Sequence, residues 1–177
     1  MASMSSMSSM EAEIIKIQKF KMTNDSISTF HRITLSYSDC VPNALFLLGL
    51  ISSVTAEIMR ILVVKNGVDN EETEKIFSYL IGKPCLLLKI KNTVLYQYSM
   101  TELNPNEAIY CVSNRPGDPR HAFLIAKTND GILSVLDGQK ESGIMCEIKG
   151  EDSECWSSYK SDFYDIIHTY QSSDWKI

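Results

Sequence analysis

Apolar and polar positions follow two different rhythms, one before and one after about Pro84. In the first half the apolar residues gather into helix-length stretches. Ser38-Asp39 offers N-cap chemistry, Pro42 suits a first helical turn, and an apolar run from Ala44 to Ile51 follows. This pattern predicts a helix over 40–50. A second helix is expected over 55–65, ending at Asn66-Gly67. A third, over 71–81, is capped by Asp69 or Asn70 and stops at Gly82 and Pro84. Upstream, 13–22 (EIIKIQKFKM) mixes apolar with Lys and Gln positions and predicts a strand. Residues 23–39 are polar and turn-rich.

After Pro84 the apolar runs are short and rich in β-branched residues. Strands are expected over 85–90, 108–113, 121–128 and 132–137, with 94–100 and 143–149 as further strands. In 157–171 the residues Tyr159, Phe163, Ile166, Ile167 and Tyr170 recur at spacings of three and four, which predicts a closing C-terminal helix. Helices first, strands second and a final helix make an α+β domain rather than a wound βαβ sheet.

Composition narrows the function. The chain has 177 residues, 44% of them hydrophobic and 22% charged, enough for one domain over 13–177 with its own core. The net charge of -5 comes with no basic face, which argues against nucleic acid as a partner. The longest apolar run is far short of the ~20 residues of a membrane helix, so no membrane partner is expected. Residues 1–12 open with a polar Met/Ser-rich tail that is not a secretory signal and that a protein partner would have to order. Five cysteines (Cys40, Cys85, Cys111, Cys146 and Cys155), an odd number with no CxxC pair, suggest a reducing, intracellular setting and no structural zinc. No cofactor or metal is expected.

Two segments carry candidate chemistry. Cys40 falls at the first turn of the first helix, where the helix end carries about half a positive charge and unpaired N–H groups. Both stabilise a thiolate, and the same N–H groups can serve an oxyanion. The plain alternative is a small residue buried at a helix start. The second segment, His121 to Gln139, reads as a hairpin turning at Asn129-Asp130-Gly131. With a three-residue loop and Gly131 left-handed, Phe123 faces Asp137 and His121 faces Gln139. His121 and Asp137 are then diagonal neighbours on one face, ~7–8 Å apart at the backbone, and either Asp137 or Gln139 can reach the imidazole. A two-residue loop would flip the parity and take the acid off that face.

A thiol at a helix start, an imidazole at a strand start and an acid on the next strand make a nucleophile, base and orienter set. This order resembles the papain-like cysteine hydrolases over about residues 36–140. The phrase His121…Leu136-Asp137-Gly138-Gln139 is similar to the closing motif of small papain-fold proteins of viruses and bacterial toxins. The resemblance implies a papain-like fold with Cys40 as nucleophile, His121 as base and then acid, and Asp137 as orienter. Where that family usually has a Gln before the nucleophile, this chain has Ser36-Tyr37-Ser38-Asp39, so Ser38 or Ser36 would join the Cys40 N–H at the oxyanion. The expected function is a peptidase or isopeptidase acting on a peptide or protein substrate, in the cytoplasm of a cell or host. The competing expectation is a non-catalytic papain-fold protein, such as a virion component or partner-binding module. A third reading, more remote, is an acyltransferase or amidase on the same constellation. Arg115 and Arg120 flank a turn just before His121 that reads as solvated, with a cleft rim contacting substrate as the alternative, and His31 and His168 read as structural or surface residues.

Overall fold

The computed structural model describes residues 15–22, 39–62, 67–114, 120–138 and 145–170. The tail over 1–12, Ser36, Ser38, His31, Arg115 and Gln139 lie outside the described residues.

Among the described residues eight strands form one sheet, and every pair in it is antiparallel. They are β1 (Ile15–Ile17), β2 (Phe20–Lys21), β3 (Cys85–Lys91), β4 (Glu107–Ser113), β5 (His121–Lys127), β6 (Leu133–Leu136), β7 (Met145–Glu147) and β8 (Phe163–Tyr170). The helices are α1 (Cys40–Leu47), α2 (Ser53–Leu62), α3 (Asn70–Ile81), α4 (Asn92–Glu102) and α5 (Glu154–Ser157). Across the sheet the order is β3, β8, β4, β5, β6, β7. β1 pairs with the far end of β8, and β2 with the start of β4, so both fill the gap where β8 and β4 part.

Alternation along the central strands splits the core in two. Ala122, Leu124 and Ala126 of β5 face α1 and α3, packing with Leu45, Phe77 and Tyr110. Phe123 and Ile125 face the other way, onto Leu95 of α4 and Trp156 of α5. Helices therefore cover both faces of an antiparallel sheet, and the α+β class holds. No helix among the described residues is long and apolar enough to cross a membrane.

Two expected elements are corrected. Residues 94–100 are not a strand but the middle of α4. Its buried residues, Asn92, Leu95 and Ser99, are spaced three and four apart, and the β-branched and aromatic residues that suggested a strand sit mainly between them. The closing helix expected over 157–171 is also corrected: among the described residues Phe163–Tyr170 is β8, and the short helix upstream is Glu154–Ser157. β8 has partners on both sides and is buried on both faces at Tyr164, Ile166 and Ile167. Burial on both faces puts apolar residues at neighbouring positions such as Ile166 and Ile167, which breaks the two-residue alternation and leaves a spacing that also fits a helix. The 13–22 strand breaks at Gln18-Lys19, where Gln18 N–H donates to the Ile167 carbonyl at 3.0 Å and the chain steps from β8 to β4.

The cysteines do not all stay free. Cys146 on β7 and Cys155 on α5 form a disulfide, leaving Cys40, Cys85 and Cys111 as thiols. The odd count therefore does not mean five free thiols, and the inference of a reducing setting loses that footing.

Candidate active site

Cys40 is the first residue of α1, with Asp39 at the N-cap. The Asp39 side chain does not cap the helix. It is fully buried and turns to Arg60 of α2, whose Nε lies 3.9 Å from Asp39 Oδ2. Arg60 also donates to Asn43 Oδ1, at 2.9 Å from Nε and 2.7 Å from Nη2, and pairs with Glu57. One buried guanidinium thus ties both ends of the first turn of α1 to α2 and offsets the acid beside the nucleophile candidate. That turn exposes few donors: Pro42 has no N–H, and Asn43 N–H already donates to the Asp39 carbonyl at 3.1 Å. The Cys40 and Val41 N–H groups have no acceptor within the helix.

His121 opens β5 at the edge of the second core. The hairpin register is the three-residue one, Leu124 facing Leu136 and Lys127 facing Leu133, with Gly131 at φ 81°. Extended by one residue, it sets Asp137 opposite Phe123, diagonal to His121. His121 Nε2 lies 2.8 Å from Asp137 Oδ2. The same oxygen accepts a hydrogen bond from the Tyr159 hydroxyl at 2.7 Å. Asp137 is 4% exposed. The imidazole stacks beside the Phe123–Tyr159 pair, with centroids 6.2 and 6.3 Å away.

Cys40 packs with the core on the opposite face of the sheet, near enough for its side chain to act on the His121 imidazole. With Nε2 committed to Asp137, Nδ1 is the nitrogen left for the thiol. Burial of the imidazole works against its charge. The Asp137 hydrogen bond, the Cys40 hydrogen bond and the charges of both partners outweigh it, raising the His121 pKa to about 9. The Tyr159 phenol is pushed well up by burial and by the Asp137 carboxylate, so it stays a donor.

Beside the sulfur a cleft of about 250 Å³ runs between α1, the start of α3 and β4–β5, with Tyr110, Thr73 and Arg120 among its walls. Asp69 closes the α3 side as N-cap, its Oδ1 accepting from Glu72 N–H at 2.8 Å. Arg120, exposed just before β5, is ion-paired with Asp165 of β8; the turn before it lies outside the described residues. A larger space of about 580 Å³ lies at the other end of the hairpin, around Lys127, Thr128 and Asn129, away from the thiol. The remaining free thiols are unsuited to ionise: burial raises Cys85 and raises Cys111 far more. Among the described residues, no group of three His, Cys, Asp or Glu side chains is placed to hold a metal ion.

The structure thus brings together Cys40, His121 and Asp137, while Ser38 and Gln139 fall outside the described residues. Sequence reasoning missed two participants. Tyr159 follows Asp137 by 22 residues and meets it only because the chain returns through α5. Arg60, a lone cation in an otherwise apolar stretch of α2, was a visible signal. No protein-family model and no curated protein matches the chain.

Proposed function

We propose that the protein is a cysteine-dependent hydrolase, a peptidase or isopeptidase on a papain-like variant of the α+β fold. The observation that carries this reading is the His121–Asp137 pair at 2.8 Å, with Cys40 at the head of α1 near enough to act on the same imidazole. In this mechanism Asp137 orients the imidazole through Nε2 and stabilises its charge, and Nδ1 faces the sulfur. The Cys40 thiolate, with imidazolium as counter-ion, attacks the acyl carbon of a peptide or isopeptide bond. The developing oxyanion faces the N–H groups at the start of α1, and Ser38 is proposed to add a hydroxyl donor. His121 passes its proton to the leaving amine, and the C–N bond breaks to leave a thioester on Cys40. Water, deprotonated by the now neutral His121, attacks the thioester; acid and thiolate form, and the imidazolium is restored. The substrate's residues next to the scissile bond would occupy the cleft beside Cys40. A cytoplasmic location, in a host cell if the protein is viral, belongs to the same proposal.

A second reading, a non-catalytic papain-fold module that binds a protein partner, has one observation in its favour. Val54, Ile58, Ile61 and Leu62 form an exposed apolar stripe on α2, each more than half exposed. An electrophilic thiol probe separates the two. The hydrolase reading expects fast labelling at neutral pH that vanishes in Cys40→Ala while the fold is kept. Labelling of Cys40 no faster than a free thiol in solution would reject it in favour of the binding module.

A further inference from the structure

We infer that Tyr159 is a positioning residue of the site, holding the Asp137 carboxylate and taking a share of its charge so that His121 is oriented yet able to give up its proton. This inference rests on the hydrolase reading for its consequence in turnover, though not for its geometry. Two donors converge on one oxygen: Tyr159 Oη at 2.7 Å and His121 Nε2 at 2.8 Å, both on Asp137 Oδ2. Donors that share one acceptor compete for its charge. Without the Tyr159 hydrogen bond the carboxylate would hold the imidazolium more tightly and make it a weaker acid toward a leaving amine.

The mount of Tyr159 is rigid. Its ring packs on Phe123 with centroids 4.8 Å apart, and its own carbonyl accepts from the Tyr164 hydroxyl at 2.9 Å. The Tyr164 oxygen in turn accepts the Ser161 N–H at 2.8 Å. Upstream, α5 is capped by Ser153, whose Oγ accepts from Trp156 N–H at 3.3 Å, and is tied to β7 by the Cys146–Cys155 disulfide. Among the described residues, the titratable groups that bear on His121 are Asp137 after β6, Cys40 on α1 and Tyr159 after α5. The charged residues next in sequence to His121 and Cys40 are themselves paired, Arg120 with Asp165 and Asp39 with Arg60.

The test is the titration of the His121 imidazole by NMR in the full chain, which needs no substrate, with His121→Gln to assign its signal. Tyr159→Phe keeps the ring and removes the donor. The titration is expected to move up by about half a unit to one unit, and turnover of a substrate to fall about tenfold in kcat with KM little changed. A site-specific difluorotyrosine at 159, a stronger donor, is expected to move the titration down, and it covers the case in which Tyr159→Phe fails to fold. An unmoved titration in a folded variant, or the same direction of shift in both, overturns the inference. If instead Cys40→Ala leaves hydrolysis intact, the hydrolase reading fails, while the titration still reports on Tyr159.

Discussion

Asp39 is the residue whose chemistry most threatens a thiolate next door, and the side chain of Arg60 answers it. Both are buried, at 0% and 3% side-chain exposure. Removing one partner of a buried pair leaves the other charge without compensation, which typically costs about 3–5 kcal/mol. Arg60→Met is therefore expected to lower unfolding stability by that order in urea, and adding Asp39→Asn to recover part of it. Asp137 gives a second prediction at this scale. Asp137→Asn keeps the shape but removes the charge that favours the imidazolium. The His121 titration should fall from about 9 toward 6.5, and alkylation of Cys40 at neutral pH should slow with it. A His121 titration left near 9 would mean that Asp137 is not its orienter.

Among the elements, the β5–β6 hairpin and α3 were the most legible in the sequence, because local chemistry decides both. Asn129-Asp130-Gly131 imposes its loop length, and that length sets the register that brings Asp137 to His121. Asp69 and Gly82 bound α3 through a capping box and a left-handed C-cap at φ 78°. The elements read wrongly, α4 and β8, are those whose identity is decided by neighbours distant in sequence. The triad candidates were legible for the same reason as the hairpin, whereas Tyr159 and the Cys146–Cys155 bond depend on how β8 and α5 return to the sheet. Two measurements belong here. Gly131 has φ 81° and nothing within 4 Å of where a Cβ would stand, so Gly131→Ala should cost only the backbone term, roughly 1–2 kcal/mol. Replacing Cys146 and Cys155 together by Ser frees a loop of separation 9 in the unfolded chain's favour, an expected loss of about 2.5 kcal/mol by chain entropy. A denaturation midpoint unchanged by reductant would show that the bond contributes nothing to the fold.

For the whole molecule, two histidines set opposite limits on stability with pH. His168 on β8 has neither ring nitrogen hydrogen-bonded, and burial lowers its pKa from 6.5 to about 4. The unfolded chain then binds a proton that the folded one resists, so stability falls as pH drops from 6.5 toward 4. His121 works the other way: its contribution is full below 6.5 and is lost as pH rises through about 9. Stability from these two groups should peak near pH 6.5. His168→Leu should flatten the acid side, and His121→Ala the alkaline side.

The central claim, that Cys40 and His121 act as one unit, is tested most directly by the alkylation rate of each free thiol in the native protein at pH 7, with and without His121. The account predicts that Cys40 reacts far faster than Cys85 and Cys111, and that His121→Ala slows Cys40 at least about tenfold while leaving the other two unchanged. Equal rates for the three thiols, or a Cys40 rate indifferent to His121, would show that the cysteine at the head of α1 is a packing residue and not a nucleophile.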